Sequence, residues 1–257
     1  MSRAHHVALA VLLALPAATY AASAVAATEL DGTWKVDQNS WKATTPSEYL
    51  LTGGSYTCLA GCYVRQAIPA DGADHAITGT PYSDSMAVSV VDDHTIRMVM
   101  KKHGAKVAEN TAAVSADGKT INWTFSSTEN TNGGPPITGT QTETRVGDAP
   151  AGAHVISGNA LETTFKSDGD TVTMSQPTGQ SYTAVIGGPD APFKGDPGTD
   201  MVSLKRVGPH AIEETDKQNG AVVWVGTYTI SDDGKTMTTV WTDKRNNTGG
   251  SGTSTKE

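Results

Sequence analysis

One stretch of this chain occurs twice. Gly79 to Gly134, shifted by 116 positions, falls without a gap on Gly195 to Gly250. Asp84 meets Asp200, His94 meets His210 and Gly104 meets Gly220. Ser115-Ala-Asp-Gly-Lys-Thr120 meets Ser231-Asp-Asp-Gly-Lys-Thr236. Two stretches held in one register over this length are expected to fold alike, so the chain reads as two related halves.

Within the repeat, apolar residues alternate with polar ones. Ile96, Met98 and Met100 alternate with Arg97, Val99 and Lys101, and Ile121, Trp123 and Phe125 share one face. Turn residues recur every eight to twelve positions, with Asp117-Gly118 as a hairpin signal. The spacing predicts strands over 86–91, 95–101, 107–114 and 120–125, then 201–207, 210–215, 222–230 and 236–241. Outside the repeat it predicts strands at 30–36, 137–146, 163–166, 171–176 and 182–186, and a hairpin turned at Gly53-Gly54. No window shows a 3.6-residue period. The fold class expected is all-β, an antiparallel meander of two homologous halves. These form barrel-like units, or join into one pseudo-twofold barrel or sandwich. The halves are expected at 28–146 and 147–245. Ile156 to Leu161 reads as a degraded copy of Leu30 to Lys35. The Gly/Ser/Thr-rich stretch 246–257 reads as a disordered tail.

Residues 1–27 read as a secretory signal peptide. Arg3 precedes the apolar run Val7 to Leu15, and Ala24-Val25-Ala26-Ala27 supplies small residues for cleavage. That apolar run is too short to span a bilayer, and no later stretch is long enough either. The expected setting is periplasmic or secreted, in a bacterium. The formal charge is −8, and loss of Arg3 with the leader lowers it by one. That acidity argues against nucleic acid and against anionic membrane surfaces. The two cysteines, Cys58 and Cys62, are most simply a small-loop disulfide in an oxidising compartment. A redox pair or half of a metal site is the alternative.

Gly32-Thr-Trp34 on the first strand resembles the Gly-x-Trp signature of lipocalins and fatty-acid-binding proteins, the calycin barrels. The resemblance implies a Trp that plugs one barrel end, often beneath an Arg from a late strand, with Arg145 and Arg245 as candidates. The second half, above all Asp200 to Arg206 with Ser231 to Met237, resembles a group of small exported bacterial repeat proteins of unassigned function. Those share a Gly-Thr-Trp-Lys start and a Ser-x-Asp-Gly-Lys-Thr hairpin. This resemblance implies a β-barrel-like fold and a periplasmic setting, and it implies no catalytic residue.

The residues offer no catalytic motif. His75, His94, His103, His154 and His210 form no metal-ligand spacing, so no metal and no cofactor are expected. The Gly-Lys-Thr of residues 118–120 lacks the upstream glycine of a phosphate loop and sits in a hairpin. Glu213 and Glu214, adjacent on a strand, point to opposite faces and read as a solvated edge. Aromatic residues carry what remains, and Trp34, Tyr56, Trp123 and Trp241 are the candidate ligand-binding residues. The function expected is a non-enzymatic, lipocalin-like carrier of a small apolar or amphipathic ligand. The alternative is a cell-envelope module that binds a protein partner. An enzyme assembled from distant residues would show itself as a pocket with a perturbed Asp, Glu or His.

Overall fold

The computed structural model describes residues 29–44, 47–128, 133–146, 149–153 and 162–257. The signal-peptide reading, His154 and the degraded copy at 156–161 lie outside the described residues. The chain is all-β. Its strands are β1 (Gly32–Ala43), β2 (Glu48–Thr52), β3 (Ser55–Ala60), β4 (Ile68–Pro69) and β5 (Asp71–Ala76). Then come β6 (Ser85–Asp92), β7 (Thr95–Lys102), β8 (Ala105–Val114), β9 (Thr120–Ser127) and β10 (Ile137–Val146). There follow β11 (Ala149–Ala153), β12 (Glu162–Asp168), β13 (Thr171–Ser175), β14 (Ser181–Val185) and β15 (Ala191–Lys194). The last five are β16 (Met201–Gly208), β17 (Ala211–Gln218), β18 (Ala221–Ile230), β19 (Thr236–Asp243) and β20 (Thr248–Lys256).

The repeated stretches fold into the same strands. β6 to β9 and β16 to β19 begin and end at matching positions, each pair offset by 116 residues. Their turns match atom for atom. Ser115 Oγ donates to Asp117 at 2.7 Å, as Ser231 does to Asp233. Asp84 accepts from the amide of His103 and Asp200 from that of Asn219, both at 2.7 Å. His103 and Asn219 both adopt φ of 51°, a left-handed conformation that a tight hairpin requires. Local sequence therefore builds the same meander twice.

Tertiary pairing then crosses the halves. β12 to β20 run in order around a closed barrel, and β1 completes it by pairing with both β12 and β20. The other unit is a seven-stranded sheet, β11-β10-β9-β8-β7-β6-β5, with a three-stranded sheet β2-β3-β4 folded against it. β4 approaches β5 and β6, and β11 approaches β2, so ten strands surround one interior. The boundary expected at 146/147 therefore needs correction. β1 lies in the first half and closes the second barrel, while β11 lies beyond residue 147 and pairs with β10.

The tail also needs correction, because residues 248–256 form β20, a wall strand between β19 and β1. Glycine there is a packing device. A Cβ on Gly250 would stand 2.6 Å from the Lys42 carbonyl oxygen and 2.9 Å from the Trp241 ring. The indole lies across the wall where the strand carries no side chain.

Each unit has its own core. Trp34, Phe165, Val172, Met174, Tyr182, Val202 and Leu204 lead that of the closed barrel. Tyr56, Cys58, Ile68, Met86, Val88, Met98 and Trp123 lead that of the first unit. Cys58 and Cys62 form a disulfide at the end of β3. Among the described residues no helix is long and apolar enough to cross a membrane.

Candidate functional site

Neither interior is filled by its side chains. The first unit holds a cavity of about 620 Å³ and the closed barrel one of about 460 Å³. The inward phase of each strand sets what lines them. On β7 that phase is Ile96, Met98 and Met100, and on β17 it is Ile212, Glu214 and Asp216. Met98 and Met100 stand at the positions where the other copy carries Glu214 and Asp216. The backbone is shared and the chemistry is not.

The first cavity is soft and apolar, with Met86, Met98, Met100, Trp123 and Phe125 on its walls. Its polar end is Glu143 on β10, which is 1% exposed. Tyr49 donates to Glu143 Oε1 at 3.3 Å, and Gln141 donates to the same oxygen. The Trp123 indole, buried beside Glu143, also favours its carboxylate as a donor. Burial raises the Glu143 pKa against those donors. The Glu143 charge and burial together raise the Tyr49 and Tyr56 hydroxyls far above their ordinary range, burial first.

The second cavity is acidic. Glu214 and Asp216 share the inward face of β17, and a hydrogen bond links the two carboxyls. Tyr182 donates to Glu214 Oε2 at 2.6 Å, and Tyr228 also bonds to Glu214. Burial, and then the Glu214 charge, push the Asp216 pKa up to about 9. Glu214 is raised by burial, with its hydrogen bonds pulling the other way. Two carboxyls this close cannot both ionise cheaply, so the pair retains a proton at neutral pH. Asp216 Oδ1 is buried.

The cavities meet at Tyr63, Trp241 and Asp243, which line both. Asp243 on β19 pairs with Arg245 at 2.9 Å and accepts from Tyr63 at 2.9 Å. Arg245 reaches the Tyr82 hydroxyl, which in turn donates to Asp196 at 3.2 Å. Arg65 donates to the Asn246 carbonyl. Burial opposes the Arg245 charge, but the Asp243 bond and nearby tyrosines outweigh it, and its pKa is raised. This network ties the loops at Tyr63 and Tyr82 to the β19–β20 turn.

Of the four candidate ligand-binding residues, Tyr56 and Trp123 line the first cavity and Trp241 lies between the two. Trp34 lines neither. It is 1% exposed in the closed barrel and its Nε1 donates to the Leu30 carbonyl at 2.7 Å. The cation over its ring is Lys256, at 5.4 Å, whereas Arg145 donates to Gly118 and Arg245 stacks on Tyr63. Neither arginine fills the place that the calycin resemblance implies.

Glu214 corrects the solvated-edge reading, since it is 3% exposed and inside the barrel. The signal was present in the sequence: Ile212, Glu214 and Asp216 share one phase, and an apolar residue marked it as inward. His94 and His210 do not converge, and among the described residues no three potential metal ligands do. His210 instead meets Glu29 at 2.9 Å. No protein-family model matches the chain, and no curated protein matches it.

Proposed function

We propose that this protein is an exported, non-enzymatic carrier that holds a small apolar or amphipathic ligand inside its first unit. One observation carries the reading: a cavity of about 620 Å³, walled by methionine and aromatic side chains, with the buried carboxyls of Glu143 and Asp243 in its lining. Ligand pockets commonly span about 300–1,000 Å³, with apolar walls and few polar groups. Methionine suits such a site because its unbranched chain repacks around ligands of differing shape. The apolar body would lie against Met86, Met98 and Met100. A donor at its polar end would meet the Glu143 carboxyl, which lines the cavity. The leader-like residues 1–27 support export, and the strand-for-strand agreement of the two copies supports descent by duplication.

The test is native mass spectrometry of protein purified from its own host, before and after organic extraction. A discrete extra mass that disappears on extraction, and whose solvent-free re-addition quenches tryptophan fluorescence, is the expected result. A bare chain at both stages, with fluorescence unmoved by dodecanol and dodecanoate, would refute the carrier reading. The protein would then be read as an envelope interaction module, which the β2–β3 hairpin favours through Leu50, Leu51 and Leu59, each more than 40% exposed.

A further inference from the structure

We propose that the cavity of the closed barrel is a second, chemically distinct site, which takes a small organic cation: an ammonium group carried on an aromatic or aliphatic body. Four carboxyls line it, from Asp196, Glu214, Asp216 and Asp243. Asp243 is engaged by Arg245 and Tyr63, and Asp196 by Tyr82 and the Gly198 amide. That leaves the Glu214–Asp216 pair. Asp216 is 8% exposed and lines the cavity, its carboxyl is bonded to Glu214, and its Oδ1 is buried.

Among the described residues the pair has no cationic partner of its own, and an ammonium supplies three donors. Arg245 acts on Asp216 from a distance, but its guanidinium is held by Asp243. The remaining groups facing the pair are Asp196, whose charge also raises Asp216, and Tyr182 on β14 and Tyr228 on β18, both hydrogen-bonded to Glu214. Phe165, Phe193, Trp224 and Trp241 supply aromatic walls, which suit a cation and its apolar body. A metal ion fits poorly, because it takes three or four convergent ligands and the described residues bring no such group together.

The proposal carries a proton balance. The free pair holds a proton between its carboxyls. The bound ammonium donates its own N–H groups to those oxygens, and the displaced proton leaves to solvent. One cation enters, one proton departs, and the charge of the buried site is unchanged. This exchange avoids the large cost of altering net charge in a desolvated interior.

The experiment is isothermal calorimetry of the full chain with phenethylamine and with its neutral isostere 2-phenylethanol, at pH 7 in phosphate and in Tris. We expect the amine to bind and the alcohol not to bind over the same concentration range. The buffer dependence of the heat is expected to report release of about one proton, and affinity to rise about tenfold per pH unit from 6 to 8. The amine stays cationic through that window, since such groups titrate near 10. Asp216→Asn is expected to weaken binding at least tenfold. Met98→Trp, which fills the first cavity, is expected to leave amine binding intact, so failure of the carrier reading and failure of this one are separable. Equal binding of the alcohol, binding without proton release, unchanged affinity in Asp216→Asn, or no binding at millimolar amine would each overturn the proposal. The proton count is read on the unaltered protein and does not depend on any variant folding.

Discussion

The buried pair makes the stability of the closed barrel depend on pH in a direction that can be worked out. Asp216 has its folded-state pKa raised to about 9, by burial first and the Glu214 charge second. In the unfolded chain it titrates near 3.9. Between those values the folded state holds a proton that the unfolded state has released. Stability therefore falls as pH rises, by about 1.4 kcal/mol per unit for one proton. From pH 5.5 to 7.5 the loss from this residue is about 3 kcal/mol. Asp216→Asn keeps the shape and removes the titration, so the variant is expected to lack that loss. For a chain of this size about 3 kcal/mol corresponds to roughly 6–12 °C in Tm.

The assay is differential scanning calorimetry of both proteins at pH 5.5, 6.5 and 7.5, without ligand. Glu143 and Glu214 have raised pKa values too and contribute with the same sign. The difference between the two proteins reads the loss of the proton that Asp216 shares with Glu214. The expected result is a gap in Tm that shifts in favour of the variant as pH rises. A gap that stays constant within about 1 °C would show that Asp216 is ionised in the folded barrel, and the shared-proton reasoning would fail.

Two further outcomes follow from the barrel. Trp34→Ala is expected to cost about 3–5 kcal/mol, because it empties the core and leaves the Leu30 carbonyl without its 2.7 Å donor; urea denaturation checks it, and a cost below about 1 kcal/mol would refute the structural role. Truncation after Arg245 removes β20, opens the closed barrel between β19 and β1, and exposes Trp241; loss of cooperative unfolding and gain of dye binding are expected, whereas an unchanged thermal transition would mean that the segment is a dispensable tail.

Local pattern made much of the meander legible. Period-two alternation and Asp-Gly turns located β6 to β9 and β16 to β19, because both are set by neighbours in sequence. Gly53 and Gly54, with φ of 57° and 74°, form the hairpin turn their pairing predicts. The short strands β4 and β5 fall in a segment rich in Pro, Gly and Asp, and composition hid them. The same bias hid β20, where glycine accommodates Trp241 rather than conferring freedom. Tyr56, Trp123 and Trp241 were legible as cavity candidates because few aromatics exist to choose from. Glu214 beside Glu213, its neighbour on the opposite face, reads as an edge charge; its phase partner is Asp216, two residues on.

What the sequence determined by itself is the strand inventory, the repeat and the alternation of faces. Each is carried by contacts between residues close along the chain. Tertiary structure decided which strands close which interior. β1 lies over a hundred residues from β12 and over two hundred from β20, yet it pairs with both. Such pairings depend on barrel closure and on burying Trp34, not on any local preference. Closure also decides the chemistry. A carboxyl on an alternating strand is solvated or desolvated according to which side becomes the inside, and that fact turned Glu214 and Asp216 from surface charges into a proton-sharing pair.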